Sequence, residues 1–218
     1  MKLNFIKNIL SKPVLLLLCI ALACSGPKDH QEENSTVTQT SEPSTKPQTA
    51  ATYYYINSNS NESLAEIIMD GKAHTVKTSA VNLFGKLKAD KRKYYDQNDQ
   101  LAYVIKYKEG LDFKLRNEQE ELLWKVKVTE DKIKIANNEE WENAFEIKQP
   151  ESGRIKLKQN DEDLQSIRFD PAGATIAVGD KYQTRGFNGS LAMGVLIIEE
   201  LSEIEKIVIC TEILGSTQ

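Results

Sequence analysis

Histidine is nearly absent from this chain: 218 residues contain two, His30 and His74. Cysteine is almost as scarce, with Cys19, Cys24 and Cys210 the only three. Nitrogen and sulfur ligands this few and this scattered do not make a zinc site, which needs three or four converging on one point. The apolar run from Val14 to Ala23 covers about 10 residues, against the about 20 that a spanning helix requires. Phosphate loops need more glycine than Gly186-Phe187-Asn188-Gly189-Ser190 offers, and a lysine in register, so that segment reads as a connector and helix cap. Asp96-Gln97-Asn98-Asp99 opens like a calcium loop but lacks its glycine and distal glutamate. Asp161-Glu162-Asp163 falls where a turn is due, and both acidic stretches read as solvated turns. His74 is a conceivable general base but sits beside Thr75 and Thr78 like an ordinary strand residue. Cys210 lies in an apolar helix, where a thiol is inert core. The expectation is a protein with no catalytic residue, no cofactor and no metal.

What is present begins at the N-terminus. Lys2, Lys7 and Lys12 precede the apolar run, and Ile20-Ala21-Leu22-Ala23 then brings small residues up to Cys24. A basic start, a short greasy centre and a small-residue cleavage site describe a secretory signal. With cysteine next in line, the pattern resembles the lipobox of bacterial lipoproteins, although Leu22 is a less usual occupant of its position. The resemblance implies removal of residues 1–23 and acylation of Cys24, the lipid attachment site. Two or more acyl chains, at about 0.8 kcal/mol per buried methylene, make a stable anchor where one does not. Ser25 in the following position implies the outer membrane. The expected location is therefore the bacterial cell envelope, lipid-anchored and facing the periplasm or the surface.

Loss of the signal removes three lysines and no acids, taking the net charge from −4 to −7. An acidic balance argues against a nucleic-acid partner. It also leaves Cys210 as the sole free thiol of the mature chain, so no internal disulfide forms. Residues 24–51 are polar apart from Val37 and cannot bury enough surface to offset ordering, so they read as a disordered tether reaching about 25–30 Å. Residues 52–218 remain as a single domain.

Most of that domain repeats at about 21 residues. Tyr103, Trp124, Phe145 and Ile167 each lead an alternating apolar stretch. A turn follows each, at Glu109-Gly110, Glu130-Asp131, Glu151-Ser152-Gly153 and Asp170-Pro171-Ala172-Gly173. Second stretches come next: Leu111-Phe113-Leu115, Ile133-Ile135, Ile155-Leu157 and Ile176-Val178. Period-2 alternation with turns at this spacing predicts four antiparallel hairpins, eight strands in all. One face is apolar and the other carries lysine after lysine, among them Lys106, Lys114, Lys125, Lys134 and Lys156. A sheet greasy on one side must curl around something.

Residues 191–214 supply that something. They are apolar almost all round, and Ser202 with Glu205 has the spacing of a capping box, predicting two helices that meet near Leu201-Ser202. The fold class expected is mainly β, an antiparallel hairpin-repeat sheet or barrel packed around a hydrophobic C-terminal helix, with the helices over 190–214. Hairpins of this rhythm closing on such a helix resemble the tubby C-terminal-like fold, which includes LURP-one-related proteins and phospholipid scramblases. That resemblance covers residues 80–214, rests on architecture and transfers no site residue. MORN repeats share the period but not the glycine pattern, and a lipocalin-like barrel would not hold an interior helix. Before residue 100 the expectations are an edge strand at Tyr53-Tyr54-Tyr55, a short helical turn over Ser63 to Met69, and strands at His74 to Lys77 and Leu83 to Leu87.

Lys86, Lys88, Lys91, Arg92 and Lys93 form the densest basic cluster. It could face anionic headgroups, where each charge contributes about 1 kcal/mol, or be an edge strand kept soluble by lysine. The function expected is a membrane-anchored, non-catalytic binding or scaffolding module with a protein or glycan partner. The alternative is a tubby-like lipid-binding module using that cluster, and behind it an enzyme whose site is not recognised.

Overall fold

The computed structural model describes residues 50–216; the signal segment, Cys24 and the tether up to residue 49 lie outside the described residues. Fourteen strands follow in order. They are β1 (Ala51–Asn57), β2 (Ser63–Asp70), β3 (Ala73–Thr78), β4 (Asn82–Lys88), β5 (Lys91–Tyr95), β6 (Leu101–Tyr107) and β7 (Phe113–Arg116). After them come β8 (Leu122–Val128), β9 (Lys132–Ala136), β10 (Phe145–Glu151), β11 (Arg154–Gln159), β12 (Glu162–Arg168), β13 (Thr175–Val178) and β14 (Tyr182–Arg185). A 3-10 helix (Leu191–Ile197) and α1 (Glu203–Ser216) complete the chain. All strands belong to one antiparallel sheet in which β1 to β12 run as a meander and β14 returns to pair with β1. The two terminal strands, β12 and β13, come alongside each other without sharing a ladder, so the barrel is nearly closed.

The alternation read from the sequence decides which way each strand faces. Ala65, Ile67 and Met69 point inward from β2, Leu115 from β7, Ile133 and Ile135 from β9, and Ile155 and Leu157 from β11, all buried. Burying each such side chain contributes about 1.5–3 kcal/mol. The partners are the chain's own last elements: Ala192, Met193, Val195 and Leu196 of the 3-10 helix, and Ile207 to Cys210, Ile213 and Leu214 of α1, are buried in the same core. Residues 101–178 do form eight strands, β6 to β13. The capping box is also in place: Ser202 Oγ accepts from the Glu205 N–H at 3.4 Å while Glu205 Oε2 accepts from the Ser202 N–H at 2.9 Å.

Three expectations are corrected. Ser63 to Met69 is not a helical turn but β2, because Ala65, Ile67 and Met69 alternate at period 2 rather than 3.6. Tyr53-Tyr54-Tyr55 is not an edge strand; β1 is paired on both sides, with β2 and β14. The fourth hairpin does not close. Asp170 folds the chain into a tight turn, accepting the Ala172 N–H at 2.9 Å, and β13 pairs with β14 instead of β12. The first of the two C-terminal helices is a 3-10 helix, with Gly194 seated against Ile147.

Odd and even turns separate to opposite rims. The β2–β3, β4–β5, β6–β7, β8–β9 and β10–β11 turns share one rim with the start of β1. A Cβ on Gly194 would overlap Ile147 Cγ2, so Gly194→Val overpacks a filled interior. The urea midpoint should fall by the equivalent of about 1–3 kcal/mol; an unchanged midpoint would mean the 3-10 helix does not sit against β10.

Candidate functional site

Inside the barrel α1 carries one buried acid, Glu212, into a small polar cluster set within the apolar core. The hydroxyls of Tyr94 on β5 and Tyr107 on β6 donate to its two carboxylate oxygens. Arg92 Nε on β5 lies 3.2 Å from Oε1 and also donates to the Tyr107 hydroxyl at 3.1 Å. Its Nη1 donates to the Lys72 carbonyl at 2.5 Å. His74 Nδ1 on β3 lies 3.4 Å from the same Oε1. Two glycines make the room. A Cβ on Gly85, which pairs with both His74 and Tyr94, would meet Tyr94 Cε1 at 2.8 Å, and one on Gly215 would meet His74 Cε1 at 2.7 Å.

Burial alone would raise the Glu212 pKa; the hydrogen bond from His74 and the charge of Arg92 outweigh it and hold the carboxyl below its ordinary value. Burial first, and then the charge of Glu212, push the Tyr94 and Tyr107 hydroxyls up. The result is an ionised carboxylate gripped by two neutral phenols and a guanidinium. It fastens the end of α1 to three strands at once. None of Glu212, His74, Arg92 or Tyr94 is more than 5% exposed, and Tyr107 is half-buried.

Arg92 corrects an expectation. It was grouped with Lys86, Lys88, Lys91 and Lys93 as part of one basic face, but strand parity sends it inward with Tyr94. The neighbouring strands also show that β5 is interior to the sheet, paired with β4 and β6. Sequence reading missed Glu212 altogether. The available signal was an acid standing alone in the apolar run of α1, with Arg92 and Tyr94 on the parity of buried positions.

The four lysines do face outward, and register extends them. Lys88 stands opposite Lys91, Lys91 opposite Lys106, Lys106 opposite Lys114 and Lys114 opposite Lys125, one row over five consecutive strands. Lys86 stands opposite Lys93 in the row beside it. Farther round, Lys132, Lys148 and Lys156 make a third row. Neighbouring strands are about 4.8 Å apart, and like charges directly opposite each other destabilise a sheet. Partial relief comes from Glu139, which pairs with Lys114 and lies 3.5 Å from Lys125, and from Glu120 at 3.8 Å from Lys91. Among the described residues Lys88 and Lys106 form no ion pair with a carboxylate. Glu146, hydrogen-bonded by Lys134 and Lys148, is held down to about 2.

The remaining candidates are accounted for locally. Asp96 Oδ1 accepts the N–H groups of Asn98 and Gln100, both at 2.8 Å. Asp163 pairs with Lys156 and Lys158. Ser190 Oγ caps the 3-10 helix at Ala192 N, 3.2 Å away. Cys210 Sγ donates to the Ala192 carbonyl at 3.2 Å, and burial pushes its thiol up. Among the described residues no group of three His, Cys, Asp or Glu could hold a metal, and no helix is long and apolar enough to cross a membrane. No protein-family model matches the chain, and neither does a curated protein or a solved structure.

The Glu212 cluster gives stability a definite acid dependence. Because folding lowers the carboxyl's pKa, its contribution is complete above the unfolded value of about 4.3 and drains away as pH falls toward the folded one. The urea midpoint should drop below about pH 4.5. Glu212→Gln should cost about 3 kcal/mol or more at pH 7 by leaving Arg92 buried without its counter-charge, and should flatten the acid limb. Parallel acid limbs in the two proteins would show that Glu212 is not the group responsible.

Proposed function

We propose that this chain is a non-catalytic binding module of the bacterial cell envelope, tethered to a membrane through an acylated Cys24, and that it holds an extended anionic polymer against its outer wall. The observation that carries the reading is the five-lysine row from Lys88 to Lys125. Opposed lysines cost a sheet stability; Glu120 and Glu139 offset Lys91, Lys114 and Lys125, and Lys88 and Lys106 are left, among the described residues, for an external anion. The row winds across consecutive strands of a convex wall at about 4.8 Å per strand; Lys88, Lys91 and Lys106 are its open part, while Lys114 and Lys125 are 12% and 13% exposed and are held by Glu139. A chain-like polyanion can follow such a line, whereas a flat surface meets a curved wall over only part of it. Charge on the wall rather than an apolar band also sets it apart from lipid-facing barrel walls. An acidic glycan of the envelope is the partner class that suits this place and charge.

A second reading has its own observation. Lys86, Lys88, Lys91 and Lys93 lie on just two adjacent strands, and the β4–β5 turn between them shares a rim with the start of β1, where the tether joins. Four cations so grouped suit anionic headgroups, the use implied by the tubby-like resemblance.

Retention of the full chain on a sulfated polysaccharide, compared with sedimentation on vesicles containing anionic lipid, separates the two. Lys106→Glu should weaken polysaccharide binding about tenfold and flatten its salt dependence, with vesicle binding unchanged. If Lys86→Glu with Lys93→Glu abolishes vesicle binding while Lys106→Glu changes nothing, the polymer reading gives way to the lipid one.

A further inference from the structure

At the rim where the β8–β9 and β10–β11 turns lie, a cleft of about 870 Å³ opens between those turns, the start of the 3-10 helix and the far end of α1. Its walls are apolar: Val128, Ile133, Leu191 and Ile213 line it, and Leu111 stands at the lip, 38% exposed. Val128 breaks the pattern of its own strand. Trp124 and Val126 share its inward parity and are buried, but Val128 is only half-buried, and so is Leu191 across the cleft. The barrel therefore leaves apolar side chains uncovered at this rim, in a hollow of the size that small-molecule sites usually have.

The charged residues lining the cleft are all of one sign. They are Glu130 and Asp131 from the β8–β9 turn and Glu151 from the end of β10. Asp131 Oδ1 takes the Thr129 hydroxyl at 2.9 Å, and Glu151 lies 3.4 Å from Arg154 Nη1, an exposed pair that screens it little. Apolar depth under an acidic lip selects for both ends of a ligand at once. We propose that the cleft is a second binding site, separate from the lysine wall, for a cationic amphiphile: an apolar body that covers Val128 and Leu191, with an ammonium or guanidinium head held by Glu130 and Asp131. An anionic amphiphile of the same length would fill the same apolar space but set like charges side by side at the lip.

The test uses the full chain and a neutral apolar reporter, N-phenyl-1-naphthylamine, whose fluorescence rises on leaving water. Dodecyltrimethylammonium and dodecyl sulfate compete for it, both kept well below the concentrations at which they form micelles. The ammonium compound should displace the reporter at a concentration at least tenfold lower than the sulfate. Glu130→Lys with Asp131→Lys, both on an exposed turn, should invert that order while an unchanged melting profile shows the fold is kept. Leu111→Arg at the lip should weaken the ammonium compound alone. Failure of the reporter to bind, equal competition by the two detergents, or an order unmoved by the double variant would each overturn the proposal. So would a self-association of the chain that masks the cleft and excludes the reporter.

Discussion

One constraint governs this molecule: a sheet whose inner face is mostly apolar is closed off from water by residues 191–214 of the same chain. Val76, Ile105, Leu115, Ile133, Ile147 and Ile155 are completely buried, yet the strands that bear them are hairpin neighbours with nothing of their own to face. Their partners, from Ala192 to Leu214, are the last part of the domain to be made. Hairpins form from contacts between near neighbours, but the pairing of β1 with β14 joins residues 51–57 to residues 182–185, and the core requires residues beyond even those. Loop closure over that distance is slow relative to hairpin formation. A nascent chain therefore passes through a stage with exposed apolar ladders, which is when such sheets aggregate.

The same constraint explains the buried carboxylate. An apolar helix inside an apolar barrel has many rotations of similar energy, since greasy contacts are only weakly directional. Glu212 removes the degeneracy: its two oxygens meet Tyr94, Tyr107, Arg92 and His74 in one register only. Any rotation of α1 would bury a charge without partners, and that costs several kcal/mol. The group thus fixes the rotation of α1 as well as balancing the buried charge of Arg92. Gly85 and Gly215, each too close to an aromatic ring to carry a side chain, belong to the same device.

Much of this architecture was legible because period-2 alternation is set by the strand itself. Tyr103, Trp124 and Phe145 sit on β6, β8 and β10, and Ser202 with Glu205 caps α1 as their spacing required. What escaped was everything fixed by long-range pairing. Nothing local to Asp170-Pro171-Ala172-Gly173 says that β13 will turn away from β12 toward β14; that follows from the free edge of β1 more than a hundred residues earlier. Residues 63–69 misled because a seven-residue, largely apolar stretch with one charge matches a helical turn nearly as well as a strand. Arg92 was placed on the surface because Lys91 and Lys93 flank it, and composition overruled parity. The lysine row was visible only as lysines. That they face one another required register, which the sequence does not print.

The barrel's lumen, where many barrels keep their ligands, is occupied by α1 and the 3-10 helix, and the two sites proposed above lie on the wall and at the rim. Of the five arginines Arg92 alone is buried, and the other four stand at half-buried or exposed positions. The chain uses arginine at position 92, in the interior, where a weakly hydrated planar fork suits a fixed set of acceptors. Its long outer row is lysine at every position, Lys88, Lys91, Lys106, Lys114 and Lys125. Lysine is a strongly hydrated point charge on a flexible stem, which pairs with an anion of almost any geometry and holds none of them rigidly. A wall built this way favours charge density and spacing over shape, which suits an irregular polymer better than a single small ligand. Had the row been built of arginine, bidentate geometry would have tied it to one kind of phosphate or carboxylate, and the tolerance that a variable polymer demands would be lost.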